Sequence, residues 1–213
     1  MSGPPIYLVG GANGTGKTHF AVRLAATQGL DHTLGTGFVR EIVRTTTTAA
    51  DDPVLFEYSF GGRDPVETLR AQAIRLHAAV RACIARARAE GTSLVVEGTH
   101  LLPSLYAHDP DIDGFVLLSE PSAEVWSARL TGPGHTKRSI NAADLAAVEK
   151  LRDFLRTDAI THGVVMTVFA DNFDAVWRAL HESRRPSHHR DRSLRLSRPV
   201  RTSRVERRQF DGM

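Results

Sequence analysis

Gly11-Ala12-Asn13-Gly14-Thr15-Gly16-Lys17-Thr18 matches, at every fixed position, the pattern G-x-x-x-x-G-K-[ST], in which glycine-rich backbone wraps a phosphate. Just upstream, Ile6-Tyr7-Leu8-Val9 is a short continuous apolar run of the kind a strand buried on both faces carries. Just downstream, Phe20, Ala21, Leu24 and Ala25 recur at helical spacing. Strand, glycine loop and helix therefore follow in the order that such a loop needs. Its N–H groups would point inward at a β-phosphate, and the first helical turn would add donors and a dipole. The pattern assigns Gly11, Ala12, Asn13, Gly14, Thr15, Gly16, Lys17 and Thr18 to nucleotide binding, with Lys17 bridging β- and γ-phosphates and the Thr18 hydroxyl holding Mg2+. A turn that only joins strand to helix is the plainer alternative.

Outward from the loop, apolar strands alternate with helical patterns. Strands are expected over 32–36, 93–97, 114–118 and 164–168, and a short helix over 38–44. Residues 45–64 read as loop. A long helix over 65–89 repeats Leu69, Ala73, Leu76, Val80, Ile84 and Ala87 at spacings of three and four until Gly91 stops it. Further helices are expected over 123–130, over 142–161 with Asn141 as cap, and over 172–181. This alternation predicts an α/β fold whose parallel sheet of about five strands is covered on both faces, a three-layer sandwich.

The 213 residues carry a formal charge of +3, but the charge is unevenly placed. Residues 183–213 hold ten arginines and no lysine against Asp191, Glu206 and Asp211, a net +7 that leaves −4 for residues 1–182. This tail is poor in apolar side chains and shows no sustained periodicity, so it is expected to be disordered, either a solvated extension or a segment that contacts a polyanion. No apolar run of 18 residues is present and residues 1–5 lack the features of a signal peptide, so a cytoplasmic protein without membrane contact is expected. The single cysteine, Cys83, sits in the long helical pattern and reads as a small core residue.

Four groups outside the loop carry chemistry. Glu97 closes the third apolar strand, and ligand crevices in parallel sheets lie at the strands' carboxyl ends. It would order Mg2+ beside Thr18 or take a proton from an attacking hydroxyl, unless it only caps a loop. Arg40 and Arg44 share a helix face and suit bidentate capture of a phosphate or carboxylate, the alternative being an exposed pair engaged by Glu41. His100 is either a substrate contact or a polar loop residue. Arg129, Lys137 and Arg138 bracket Gly132-Pro133-Gly134, so residues 131–140 suit a hinged, cationic lid; an ordinary basic surface loop is the alternative.

Together, Gly10 to Thr18, the run Gly35-Thr36-Gly37-Phe38-Val39-Arg40-Glu41-Ile42-Val43-Arg44 and above all Val95-Val96-Glu97-Gly98-Thr99-His100-Leu101-Leu102-Pro103 resemble the P-loop kinases of the 2-phosphoglycerate kinase family. The likeness extends over roughly residues 5–180, and more distantly to shikimate, gluconate and zeta-toxin kinases. It implies a P-loop NTPase sandwich, similar to nucleoside monophosphate kinases and with a lid, spanning residues 1–182. It also implies ATP-dependent, Mg2+-assisted phosphorylation of a small phosphorylated or carboxylate acceptor, 2-phosphoglycerate becoming 2,3-bisphosphoglycerate. In that scheme Lys17, Glu97 and Arg138 are catalytic, Thr18 and Glu97 hold the metal, and Arg40, Arg44 and His100 bind the acceptor. Related kinases often place an Asp at the end of the second strand; Gly37 stands there in this chain, leaving the base open. A zeta-toxin-like or polynucleotide kinase and a non-catalytic ATP-binding switch are the competing readings.

Overall fold

The computed structural model describes residues 3–119, 122–132, 141–168 and 172–182. Among them, five parallel strands form one sheet in the order β2-β3-β1-β4-β5: β1 Ile6–Gly11, β2 His32–Gly35, β3 Leu94–Gly98, β4 Gly114–Ser119 and β5 Val165–Val168. The helices between them are α1 Lys17–Gln28, α2 Thr36–Arg44, α3 Pro65–Glu90, α4 Pro103–Tyr106, α5 Ala123–Thr131, α6 Ala142–His162 and α7 Phe173–Glu182.

The three layers follow from the two-residue alternation of strand side chains. Ile6 and Leu8 of β1, with Leu94, Val96, Phe115 and Leu117, face one side and meet Leu76, Val80 and Ile84 of α3 and Leu151 and Leu155 of α6. Tyr7 and Val9, with Val95, Val116 and Leu118, face the other and meet Phe20 and Leu24 of α1 and Val176 and Leu180 of α7. Burial of each such large apolar side chain contributes about 1.5–3 kcal/mol. Because β1 is central and buried along its whole length, both faces of the sheet lock the strand that leads into the glycine loop.

The helix ends obey local chemistry. Asp64 caps α3 by accepting from the backbone N–H groups of Val66 and Glu67, Pro65 takes the first helical position, and Gly91 ends the helix. Asn141 and Asp144 form a reciprocal capping box at the start of α6, as Asn141 leads one to expect. At the amino edge of the sheet, Arg88 donates to the carbonyls of Pro4 and Asp111 and to Asp113 Oδ2, which also accepts from Ile6 N–H at 2.7 Å. The opposite, carboxyl edge is thereby left to the loops after β1, β2 and β3.

Two local expectations change. The stretch 45–64 is not wholly loop, since Pro53–Phe56 winds into a 3-10 turn that packs Leu55 into the core. Cys83 is half-buried rather than in the core, because the α3 stripe runs through Val80, Ile84 and Ala87 and leaves it on the flank. The short helix Pro103–Tyr106, which no sequence pattern marked, is started by a proline at its first position. The proposed lid residues Lys137 and Arg138, and the tail 183–213, lie outside the described residues.

Candidate active site

The loop after β1 is shaped by what lies behind it. Gly14 has φ +81, and a Cβ there would stand 2.9 Å from Leu130 Cδ2 and 3.1 Å from Trp126 Nε1. The indole N–H of Trp126 donates to the Asn13 carbonyl at 2.7 Å, so α5 buttresses the loop from outside. From inside, Thr15 Oγ1 donates to the Ala12 carbonyl at 2.9 Å. Lys17, the buried first residue of α1, donates from its ammonium to the same carbonyl at 2.6 Å, which leaves it within the loop.

Glu97 reaches the loop from the neighbouring strand. In register, Val9 of β1 lies opposite Glu97, and so does Gly35 of β2, so the ends of the three strands come level. The Thr18 hydroxyl donates to Glu97 Oε1 at 3.1 Å, across 79 residues of sequence. A hydroxyl and a carboxylate so paired at the carboxyl edge form an all-oxygen donor set suited to Mg2+. These residues, with Asn13, open onto a cleft of about 700 Å³ whose far wall is built by Thr36, Arg40, Tyr58, Phe60 and His100.

That far wall has its own order. His100 is 5% exposed, with Nδ1 at 3.0 Å from Thr36 Oγ1 and Nε2 at 3.0 Å from Gln72 Oε1 and 3.1 Å from Ser59 Oγ. Burial, helped by the positive charges of Arg40 and Lys17, pulls its pKa down to about 3, so the ring is neutral at pH 7. A neutral imidazole with both nitrogens engaged is a structural link in the wall rather than an exposed anion contact. Gly98, at φ +155, allows this arrangement, because a Cβ there would lie 1.8 Å from Thr36 Oγ1.

The two arginines part company. Arg40 lines the cleft, donates through Nη1 to the Glu57 carbonyl at 3.1 Å, lies 3.5 Å from Glu41 Oε1 and keeps a buried Nε without a hydrogen-bond partner among the described residues. Arg44 does not line it: its Nη1 is chelated by both Glu41 oxygens at 2.7 and 2.9 Å, and its guanidinium stacks 4.4 Å above the Phe56 ring. Arg129, on the last turn of α5, is likewise not among the cleft-lining side chains. Gly37 sits open at the start of α2, with nothing within 4 Å of a Cβ built on it.

Against known proteins, the chain is 32% identical over 111 residues to the 2-phosphoglycerate kinase of Methanocaldococcus jannaschii, covering 48% of this chain and 36% of that protein. It is related to archaeal 2-phosphoglycerate kinases. The relative of that name from Methanococcus maripaludis strain C7 is 30% identical over 145 residues, 59% of this chain and 46% of its own length. The one from Methanopyrus kandleri is 25% identical over 183 residues, 76% and 55%. The chain thus spans about half or less of the length of the curated 2-phosphoglycerate kinases it matches. No family model matches it. Similar solved structures include a shikimate kinase from Acinetobacter baumannii, at 14% identity and a TM-score of 0.49 over 83% of this chain and 92% of that one. A gluconokinase from Sinorhizobium meliloti 1021 gives 17% and 0.47 over 86% and 93%.

Four side chains that the sequence reading gave no role shape the site: Thr36 and Ser59 line the cleft, while Gln72 lies behind its far wall and Trp126 behind the loop. Only Gln72 left a trace in the sequence, a polar residue in register with Leu69, Ala73 and Leu76 on the apolar stripe of α3.

Proposed function

We propose that the chain is a P-loop kinase that transfers the γ-phosphoryl group of ATP, with Mg2+, to a hydroxyl of a small anionic metabolite, 2-phosphoglycerate being the acceptor favoured by its relatives' name. The observation that carries this reading is the Thr18–Glu97 pair, 3.1 Å apart beside the Lys17 ammonium at the mouth of a glycine loop. Gly11 to Thr18 bind the phosphates through backbone N–H groups. On binding, Lys17 turns from the Ala12 carbonyl onto the β- and γ-phosphates and neutralises the charge that develops between them. Thr18 and Glu97 would hold Mg2+, which would supply neutralisation of the phosphates' negative charge.

Arg40 binds the acceptor's acidic group, since it is an arginine lining the cleft with part of its side chain open to it, and a guanidinium suits bidentate capture of a phosphate or carboxylate. Glu97, level with the end of β2, takes the proton of the attacking hydroxyl in place of the acid that Gly37 lacks. Lys137 and Arg138 contribute further positive charge to the transferring phosphoryl group. Residues 1–182 form the kinase domain, and the Arg-rich stretch 183–213 is an appendage outside its chemistry. The test is an ADP-release screen with MgATP against 2-phosphoglycerate, other phosphorylated three-carbon acids, sugars, nucleosides, nucleotide sugars and polynucleotide ends. Turnover with 2-phosphoglycerate supports the reading, and turnover confined to nucleotide sugars or polynucleotide ends transfers it to the zeta-toxin-like or polynucleotide class.

A further inference from the structure

Gln72 is fully buried, on the face of α3 whose spacing calls for an apolar side chain. Its amide nitrogen donates to two carbonyls, Val54 at 2.7 Å and Glu57 at 3.0 Å. Those two acceptors fix which end of the amide points where, and turn Oε1 toward His100 Nε2 at 3.0 Å. An amide oxygen only accepts, so the ring proton sits on Nε2 and Nδ1 offers its lone pair to the Thr36 hydroxyl. The same Glu57 carbonyl accepts from Arg40 Nη1 at 3.1 Å, and the Ser59 hydroxyl reaches the ring at 3.1 Å. One connected network therefore runs from the end of β3, through the imidazole, to α3, and out to the segment 54–59 on which Arg40 leans.

A leucine and a phenylalanine would fill the same space with no polar groups to desolvate. They would lack direction, which a satisfied buried hydrogen-bond network supplies. Tyr58, Ser59 and Phe60, the residues next along that segment, all line the cleft, as Arg40 does.

We propose that Gln72 and His100 are positioning residues for the acceptor half of the site: through the Glu57 carbonyl and the Ser59 hydroxyl they hold Arg40 and the 57–60 segment in place for an anionic acceptor, and leave the ATP half untouched. The proposal rests on the acceptor reading above. Neither residue touches the reacting atoms; both act through Arg40 and the wall.

The test uses Gln72→Met, which keeps the length and removes both donations, in the full chain, alone and with Arg40→Ala. The expected result is a rise of roughly five- to tenfold in KM for 2-phosphoglycerate, the loss of about one hydrogen bond's worth of positioning, with KM for ATP unchanged within twofold. In the Arg40→Ala background the same substitution should add almost nothing, since it acts through that arginine. Backbone amide exchange gives a readout free of the acceptor's identity: exchange should rise over 54–60 and stay level over 11–18. If Gln72→Met fails to fold, Ser59→Ala removes only the hydroxyl on the loop side and should move the same two readouts in the same direction. Equal shifts in both KM values, full additivity with Arg40→Ala, or exchange that rises across the whole chain or nowhere would overturn the proposal. If no turnover occurs with 2-phosphoglycerate but exchange rises only over 54–60, the acceptor assignment falls and the positioning role stands.

Discussion

Lowering the pH should destabilise the fold through His100. The ring is buried, its pKa is held at about 3, and an unfolded chain would return it to about 6.5. Between those values the unfolded state binds a proton that the folded state does not. The contribution is therefore complete above pH 6.5 and declines by about 1.4 kcal/mol for each unit below it, until about pH 3. From pH 7 to pH 4.5 the loss from this one ring is about 2.5 kcal/mol, a large part of the 5–15 kcal/mol that holds a typical domain together. Other histidines and carboxylates titrate over the same range, so the informative quantity is a difference. Urea unfolding of the parent chain and of His100→Gln, each at pH 7 and pH 4.5, isolates it. The variant loses hydrogen bonds to Thr36, Gln72 and Ser59 and should be less stable at pH 7 by about 1–3 kcal/mol. Its stability should then fall less steeply with acid, by about 2.5 kcal/mol over the interval. Parallel pH dependences in the two proteins, or an NMR titration showing His100 protonated at pH 5, would refute the reasoning.

The other perturbations act on the walls of the cleft. Gly98→Ala would force a methyl into the Thr36 hydroxyl at a φ of +155, and should lower thermal stability by about 3 kcal/mol while displacing the Thr36–His100 contact, seen by calorimetry and by the His100 ring signals. Trp126→Phe removes the donor to the Asn13 carbonyl; nucleotide affinity measured by titration calorimetry should fall roughly five- to tenfold, with little change in KM for the acceptor. Glu97→Gln keeps an acceptor for the Thr18 hydroxyl but removes the charge, so kcat should fall by about a hundredfold or more while metal-free ATP binding holds; an unchanged kcat removes Glu97 from the chemistry.

How much of this was legible in the sequence depended on the range over which each feature is encoded. The glycine loop, the strand before it and the helix after it are local, and eight consecutive residues carry their own geometry. Glu97 was legible because a strand's carboxyl end is a fixed place in a parallel sheet, and the register with Val9 puts it there. Arg40 and Arg44 share a helix face by spacing, but spacing does not say which partner wins. Glu41 lies one turn before Arg44, and Phe56 comes from a 3-10 turn inside a stretch that reads as loop, so Arg44 is drawn away from the cleft. The His100 network joins residues 28, 41 and 64 positions away from the ring, distances over which no periodicity speaks. Its only local trace was a glutamine on an apolar stripe.

The central claim is that this loop delivers a γ-phosphoryl group to an acceptor. Phosphorus NMR of the parent chain and of Lys17→Ala, each with MgATP and 2-phosphoglycerate, tests it most directly. The parent should convert the single phosphate resonance of the acceptor into the two of 2,3-bisphosphoglycerate as ADP accumulates, and Lys17→Ala should leave both substrates essentially unchanged. Transfer that proceeds equally well without the lysine would contradict the account.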